Sequence, residues 1–159
     1  MRALMPGSYD PITAGHLAVI EAAAATYDEV TVAVFINPKK TYLFTEAERL
    51  ELLRLATAHL SNVTVDFSDG MVADYARGGG YDAIVKGIRN EIDRAYEEKM
   101  AEYNLAHSGV PTVLLPASSG MLSVSSTAVR EALSAGAPID ALVPGSILPT
   151  LLALYTAKK

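Results

Sequence analysis

Short β-rich runs alternate with helical patterns along this chain, and that alternation most constrains its fold. The strand candidates are Ala3–Met5, Val30–Ile36, Val63–Phe67, Ala83–Lys86 and Thr112–Leu115. Helical patterns lie between them, near residues 15–27, 45–60, 71–77 and 91–107. Such an alternation implies right-handed crossovers and a parallel sheet covered on both faces. We therefore predict an α/β fold, a Rossmann-like, doubly wound sheet of five parallel strands.

Local signals mark where several helices begin and end. Thr45 and Glu48 have the spacing of a capping box, so a helix should begin there. The glycines at 78–80 should end the third helix, and Gly109 and Pro111 should end the fourth. Two C-terminal helices are predicted, one near 126–135 and an apolar one containing Leu148, Leu151, Leu152 and Tyr155. We find no repeat or long linker, and we expect one domain over residues 1–159.

Composition excludes several classes of function. The chain has no cysteine, which rules out disulfides, thiolate zinc sites and a cysteine nucleophile. A net charge of −5 with only 13 Lys and Arg argues against a nucleic-acid partner, which needs a broad basic face. The chain shows neither a signal-peptide pattern nor an uncharged apolar run of about 18 residues. We expect a cytoplasmic protein that binds neither nucleic acid nor membrane.

Most of the polar residues of interest follow a predicted strand. These segments are Ser8 to His16, Asn37 to Lys40, Lys86 to Arg89 and Ser118 to Thr127. In an open parallel sheet, ligands bind beyond the carboxyl ends of the strands, where the strand order reverses. We therefore expect the four segments to meet in one site.

The first of these segments, residues 6–16, joins the first strand to a helix that begins near His16. Its glycines allow close backbone approach, and the unpaired amides of a helix start attract anions, phosphate above all. His16 adds an imidazole donor, with Thr13 three residues earlier. The alternative is a tight turn with a surface histidine.

Cations and hydroxyls in the other segments strengthen the case for an anionic ligand. Lys86 and Arg89 stand where a helix start would favour acidic residues, so an anion explains them best. Lys39 and Lys40 could equally be a solvated pair. Residues 123–127 contain four hydroxyls ahead of a helix; one is needed as an N-cap, and the others could bind phosphate.

The pattern at 91–107 predicts a solvated face over a buried one. The charged side is Asp93, Arg94, Glu97 and Glu98, and the apolar stripe is Ile92, Tyr96, Met100 and Tyr103. Glu97 reaches a ligand only if this helix starts at the edge of the site. His59 and His107 are given no catalytic role. The absence of a GxSxG elbow and of a P-loop lysine leaves hydrolase and P-loop kinase functions unsupported.

These residues together resemble a known family. Thr13-Ala14-Gly15-His16 is similar to the T/HxGH signature of the nucleotidyltransferase superfamily, and Val124 to Thr127 resembles its ISSS or ISST signature. Length and motif order are most similar to the bacterial phosphopantetheine adenylyltransferases. Further counterparts are Pro6 to Thr13, Phe44-Thr45, Phe67 to Asp69 and Lys86 to Arg89, which together span nearly the whole chain.

The resemblance implies adenylyl transfer from ATP to 4′-phosphopantetheine, giving dephospho-coenzyme A and pyrophosphate, with Mg²⁺. It implies a homo-hexamer and feedback inhibition by coenzyme A. His16 would stabilise the transition state. ATP would be bound by Ser8, Tyr9, His16, Gly87, Ile88, Arg89, Glu97 and the stretch Met121, Leu122, Ser123, Val124, Ser125, Ser126 and Thr127. Phosphopantetheine would be bound by Ser8, Lys40, Met71 and Lys86. No residue is assigned as a metal ligand.

The chain departs from the family pattern at three places. Met121 to Ser123 replaces a segment that usually has an aromatic residue, Asp93 to Glu97 differs from the common Asp-Phe-Glu-Tyr-Glu, and Thr41-Tyr42 stands where Lys-Pro is common. The missing aromatic residue and the Ser-Ser-Thr-x-x-Arg form of the second signature leave two alternative transferase activities. One uses nicotinamide mononucleotide as the acceptor, and the other uses CTP with an alcohol phosphate. A nucleotide sensor without catalytic activity is the alternative outside enzymes.

Overall fold

A computed structural model describes all of residues 1–159. Five parallel strands form one sheet in the order β3-β2-β1-β4-β5. The strands are β1 (Arg2–Gly7), β2 (Glu29–Phe35), β3 (Val63–Ser68), β4 (Ala83–Ile88) and β5 (Thr112–Pro116). The predicted α/β Rossmann-like fold is confirmed.

Six helices accompany the strands. They are α1 (Ala14–Thr26), α2 (Glu46–Thr57), α3 (Val72–Gly79), α4 (Glu91–Ser108), α5 (Ser126–Ala135) and α6 (Leu148–Ala157). The Thr45–Glu48 capping box forms as predicted, with the Thr45 hydroxyl accepting from the Glu48 amide and the Glu48 carboxylate accepting from the Thr45 amide. None of the helices combines the length and apolar character needed to cross a membrane.

The predicted boundaries differ from the structure by a few residues. α3 continues through Gly78 and Gly79, and Gly80 ends it in the left-handed conformation with a φ of 68°. α2 ends at Thr57, three residues earlier than the pattern indicated. β4 ends at Ile88, two residues later than the predicted end at Lys86.

Alternate residues of the central strands pack on opposite faces of the sheet. Ala3 and Met5 join a cluster of 20 buried residues with Val129 and Leu151, from α5 and α6. Leu4 joins a smaller cluster of six on the other face. This two-sided burial is what a doubly wound parallel sheet requires, and it holds β1 in the centre of the molecule.

The order of strands reverses at β1, whose neighbours β2 and β4 lie on opposite sides. β1 pairs with β2 at six positions, from Arg2 to Gly7, but with β4 only at Ala3 and Leu4. β1 and β4 therefore separate toward their carboxyl ends and leave a crevice there. Such a crevice is the general ligand position in open α/β sheets.

The predicted burial of the apolar stripe on α4 is wrong for the single chain. Ile92 is 82% exposed, Tyr96 62% and Tyr103 42%, while Met100 is half-buried. A helical stripe indicates that an apolar face exists but not that the same chain covers it.

Candidate active site

Two adjoining clefts open at the carboxyl edge of the sheet. The His16 cleft, about 320 Å³ in volume, lies between the β1–α1 loop, the end of β4 and the start of α5. The Lys40 cleft, about 400 Å³, lies between the β2–α2 loop, α3 and α4. Ser8, Lys86 and Glu97 line both clefts. Any two ligands that occupied them would meet at this shared wall.

The structure brings together most of the residues predicted to bind a nucleotide. Those lining the His16 cleft are Ser8, Tyr9, His16, Gly87, Arg89, Glu97, Met121, Val124, Ser125, Ser126 and Thr127. Lys86, which was predicted to bind phosphopantetheine, lines this cleft as well. Lys40 lies in the neighbouring cleft. Four predicted residues line neither: Ile88 is buried, Met71 and Leu122 are more than half exposed, and Ser123 is exposed.

His16 is held in one orientation and one tautomer by the start of α1. The Thr13 backbone N–H donates to His16 Nδ1 at 3.0 Å, and the His16 N–H donates to the Thr13 hydroxyl at 3.1 Å. Nδ1 must therefore be unprotonated, so that in the neutral ring the proton is on Nε2. Burial, with smaller contributions from Lys86 and Arg89, lowers the pKa of His16 to about 4. At neutral pH the ring is an uncharged donor through Nε2.

Tyr9 packs beside His16 and supports it. The two ring centroids are 5.1 Å apart in an edge-to-face arrangement, and the buried Tyr9 hydroxyl donates to the Met5 carbonyl at 3.0 Å. Tyr9 has a φ of 46°, in the left-handed region that residues other than glycine rarely adopt. Such backbone strain is characteristic of binding loops that tertiary contacts hold in place.

Lys86 and Arg89 are each paired with a carboxylate of α4. The Lys86 ammonium donates to the Pro6 carbonyl at 3.3 Å, across the gap between β1 and β4, and lies 3.6 Å from Glu97. Arg89 Nε donates to Asp93 Oδ2 at 3.0 Å. The pairs fix both cations at the cleft wall.

Hydroxyls at the start of α5 have mixed roles. Ser125 is the N-cap and accepts from the Ala128 amide at 3.0 Å, as the capping alternative predicted for one of them. Ser126 donates to the Pro11 carbonyl at 2.8 Å and so joins this helix to the β1–α1 loop. The amides of Ser126 and Thr127 precede the capped amide and have no acceptor within the helix. Both residues line the His16 cleft, so these amides can attract an anion there.

Gly87 has a packing role that the sequence did not reveal. A Cβ at this position would lie 2.9 Å from Val19 Cγ2, so any other residue there would require the Val19 side chain on α1 to shift. At Gly15, by contrast, an added Cβ would meet its neighbours at 3.6 Å or more. The packing of the protein therefore favours glycine at position 87, but it does not explain the glycine at position 15.

Sequence reasoning missed three residues that shape the site. Asp93 was assigned to a solvated face but lines the His16 cleft and pairs with Arg89. The buried Asp10 carboxylate accepts from the Leu43 and Phe44 amides, which ties the β1–α1 loop to the start of α2. Arg49 donates to the Ser8 carbonyl from α2. Asp93 lies four positions after Arg89, about one helical turn, and this spacing could have indicated their ion pair. The roles of Asp10 and Arg49 depend on contacts with distant segments of the chain.

This fold and this site define the class. A sequence model described as cytidylyltransferase-like matches residues 4–132. The structure resembles that of a Vibrio parahaemolyticus protein assigned as a nicotinate-nucleotide adenylyltransferase, with a TM-score of 0.71 over 97% of this chain and 94% of that one. That likeness, at 19% sequence identity, concerns the fold. The chain is a member of the cytidylyltransferase-like nucleotidyltransferases.

Curated relatives narrow the class to one family. The phosphopantetheine adenylyltransferase of Kocuria rhizophila is 45% identical over 94% of this chain and 97% of its own length. That of Corynebacterium efficiens is 44% identical over 98% of this chain and 99% of its own length. That of Symbiobacterium thermophilum is 47% identical over 91% of this chain and 90% of its own length. The chain belongs to the phosphopantetheine adenylyltransferase family.

Proposed function

We propose that this chain transfers the adenylyl group of ATP to 4′-phosphopantetheine, giving dephospho-coenzyme A and pyrophosphate. The observation that supports it best is the pair of clefts that meet at Ser8, Lys86 and Glu97. A reaction between two phosphorylated substrates needs two pockets with a cationic group at their junction. The named activity of the relatives supplies the two substrates.

In this proposal ATP occupies the His16 cleft and phosphopantetheine the Lys40 cleft. The α5 amides, Arg89 and His16 would hold the ATP phosphates, and Lys86 would contact the phosphate of the acceptor at the shared wall. Lys40, exposed on its turn, would bind the same phosphate from the other side. Met71, Ile88, Leu122 and Ser123, which line neither cleft, would act only indirectly unless the substrates reorganise their segments.

The reaction needs alignment and charge stabilisation more than acid–base catalysis. An oxygen of the acceptor's phosphate, already anionic, attacks the α-phosphorus of ATP, and the bond from that phosphorus to the bridging oxygen of the β-phosphate breaks. Pyrophosphate leaves with the electron pair, and no proton has to move. His16, neutral with its proton on Nε2, would donate to the α-phosphate as charge develops there. No covalent intermediate with the protein is required.

The residues present do not fit a resident magnesium site. Asp93 and Glu97, the carboxylates that line the His16 cleft, already contact Arg89 and Lys86. No group of three or more His, Asp or Glu side chains lies close enough to hold a metal ion. We therefore propose that Mg²⁺ enters with ATP, bound by its phosphates, as part of the substrate.

The rival acceptors have less support. Part of the case for them was Arg130, three residues beyond Thr127 in the second signature. Its guanidinium donates to the Asp10 carbonyl at 2.8 Å and to the Thr127 hydroxyl at 3.1 Å, and it lines neither cleft. Arg130 thus connects α5 to the β1–α1 loop, a structural role that does not distinguish between acceptors.

A panel of nucleotides and acceptors tests the proposal. ATP and CTP are each paired with 4′-phosphopantetheine, nicotinamide mononucleotide and an alcohol phosphate, and pyrophosphate release is followed with mass spectrometry of the product. We expect dephospho-coenzyme A from ATP and 4′-phosphopantetheine alone. Turnover of another pair would identify a different transferase, and ATP binding without turnover of any acceptor would identify a sensor.

We further propose self-association through the exposed stripe of α4. Ile92, Tyr96 and Tyr103 are exposed apolar residues whose spacing places them on one side of α4, and the family resemblance suggests six subunits. Light scattering should give a hexamer that the double substitution Ile92→Glu and Tyr103→Glu dissociates, while a monomeric wild type would refute the proposed self-association.

Coenzyme A, which contains the parts of both substrates, should inhibit competitively at the two clefts. The cytoplasmic location stays a prediction.

A further inference from the structure

Arg49 is a buried cation that forms no ion pair with a carboxylate. Its side chain is only 2% exposed, which is rare for arginine. Nη1 donates to the Ser8 carbonyl at 3.0 Å, and the guanidinium carbon lies 4.2 Å from the centre of the Tyr42 ring. Nε is buried without a hydrogen-bond partner. Burial of such a group costs stability, so a role besides folding is a reasonable expectation.

Tyr42 connects this cation to the loop that contains Lys40. Its hydroxyl accepts a hydrogen bond from the Asn37 backbone N–H at 2.8 Å. The Asn37 carbonyl in turn accepts from the Lys40 N–H at 2.9 Å, which closes the turn. Tyr42 therefore spans the base of the Lys40 turn with its hydroxyl while its ring rests on Arg49.

We propose that Arg49 and Tyr42 are positioning residues that hold the Lys40 turn at a fixed place relative to Ser8. They thereby fix the distance between the Lys40 turn and the wall that the two clefts share. Arg49 contacts the backbone of a residue in the shared wall, and Tyr42 transmits that position to the far side of the Lys40 cleft. The planar guanidinium both stacks and donates, which lysine does not do. The consequence for substrates rests on the proposed function, but the physical connection does not.

The proposed restraint on the Lys40 turn comes from side-chain contacts of Tyr42, so it should be removable by a substitution that leaves the backbone chemistry unchanged.

Backbone amide exchange, followed by nuclear magnetic resonance in the absence of substrates, tests the connection itself. Tyr42→Phe keeps the ring on Arg49 but removes the hydroxyl acceptor, so exchange at the Asn37 amide should accelerate about 2- to 10-fold. Tyr42→Leu removes both contacts and should accelerate Asn37 and Lys40 together. Tyr155→Leu is the matched control, because the ring of Tyr155 makes a comparable contact with the Lys159 ammonium, and neither residue lines a cleft. Unchanged exchange at Asn37 and Lys40 in Tyr42→Leu would overturn the proposal.

Steady-state kinetics test the consequence. Tyr42→Leu should raise KM for 4′-phosphopantetheine about 3- to 30-fold, the range of a partly buried cation–π contact, with kcat changed less than twofold. Tyr42→Phe should recover most of that loss, and Arg49→Lys should resemble Tyr42→Leu and add little to it in the double variant. A KM equal to that of the wild type would overturn the positioning role. Absence of turnover in the wild type would instead refute the proposed function, and amide exchange would still decide the inference.

Discussion

The His16 cleft and the Lys40 cleft share a wall but hold their polar groups in different ways. In the His16 cleft the ring of His16 is fixed by Thr13, and Arg89 is fixed by Asp93. In the Lys40 cleft, by contrast, Lys40 is exposed on a turn. Groups already fixed before binding lose little freedom as charge develops, which favours catalysis. An exposed cation can still attract a ligand. Substitutions of the fixed polar groups in the first cleft should therefore change kcat, and substitutions that affect Lys40 in the second should change KM.

The largest effect should come from His16. His16→Ala removes the fixed Nε2 donor and is expected to lower kcat at least about 10²-fold, with a much smaller change in the Kd of ATP. His59→Ala is the control, since His59 contacts only Glu21 on the surface. A loss of only a few-fold in steady-state kinetics would show that the preorganised cleft is not where the transition state is stabilised.

Lys86 tests which substrate the shared wall serves. Lys86→Ala should weaken binding of 4′-phosphopantetheine about 10-fold or more, since a charge-assisted hydrogen bond is lost, and weaken ATP binding less. Lys39→Ala, which removes a neighbouring charge that lines neither cleft, should leave both affinities within about twofold. Titration calorimetry of each substrate with each variant makes the measurement. A larger loss for ATP would mean that Lys86 belongs functionally to the His16 cleft.

Met121 and Leu122 test how far the His16 cleft extends. Met121 lines it, whereas Leu122 is 52% exposed and does not. Met121→Ala should raise KM for ATP about 5-fold through lost apolar contact, and Leu122→Ala less than twofold. Both variants are measured at saturating acceptor. Equal effects would mean that the segment reorganises around the base when ATP binds.

The strands and their order of appearance were predictable because each depends on a local pattern. The alternation of apolar runs and helical periods indicated all five strands, and Thr45 with Glu48 predicted the start of α2 from two residues three positions apart. Motifs at the ends of β1 and β4 were predictable as neighbours because parallel strands present their carboxyl ends on one edge.

Contacts between distant segments were not predictable in the same way. Arg49 looks like an ordinary helix residue, and its burial depends on Ser8, 41 positions earlier in the chain. The stripe on α4 predicted an apolar face correctly but not its exposure, which depends on what the rest of the fold leaves uncovered. Likewise, the gap between β1 and β4 arises from their divergence after two paired positions, which no pattern within either strand encodes.

The smallest expected change is in the charge of His16, which should stay neutral from pH 8 down to about pH 5. Its pKa in the folded protein is about 4, against 6.5 for an unperturbed histidine. Between these values the unfolded chain binds more protons than the folded one, so the free energy of unfolding should decrease as the pH is lowered from about 6.5 to about 4. Nitrogen-15 shifts of the imidazole, assigned with His16→Gln, should show a bare Nδ1 and a protonated Nε2 at pH 7. The same variant should lose this histidine's share of the pH dependence of unfolding. Titration of His16 near pH 6.5 in the free protein would mean that the His16 cleft is more open to water than the contacts of His16 with Thr13 indicate. The contrast between a fixed group in this cleft and an exposed one in the Lys40 cleft would then be weaker.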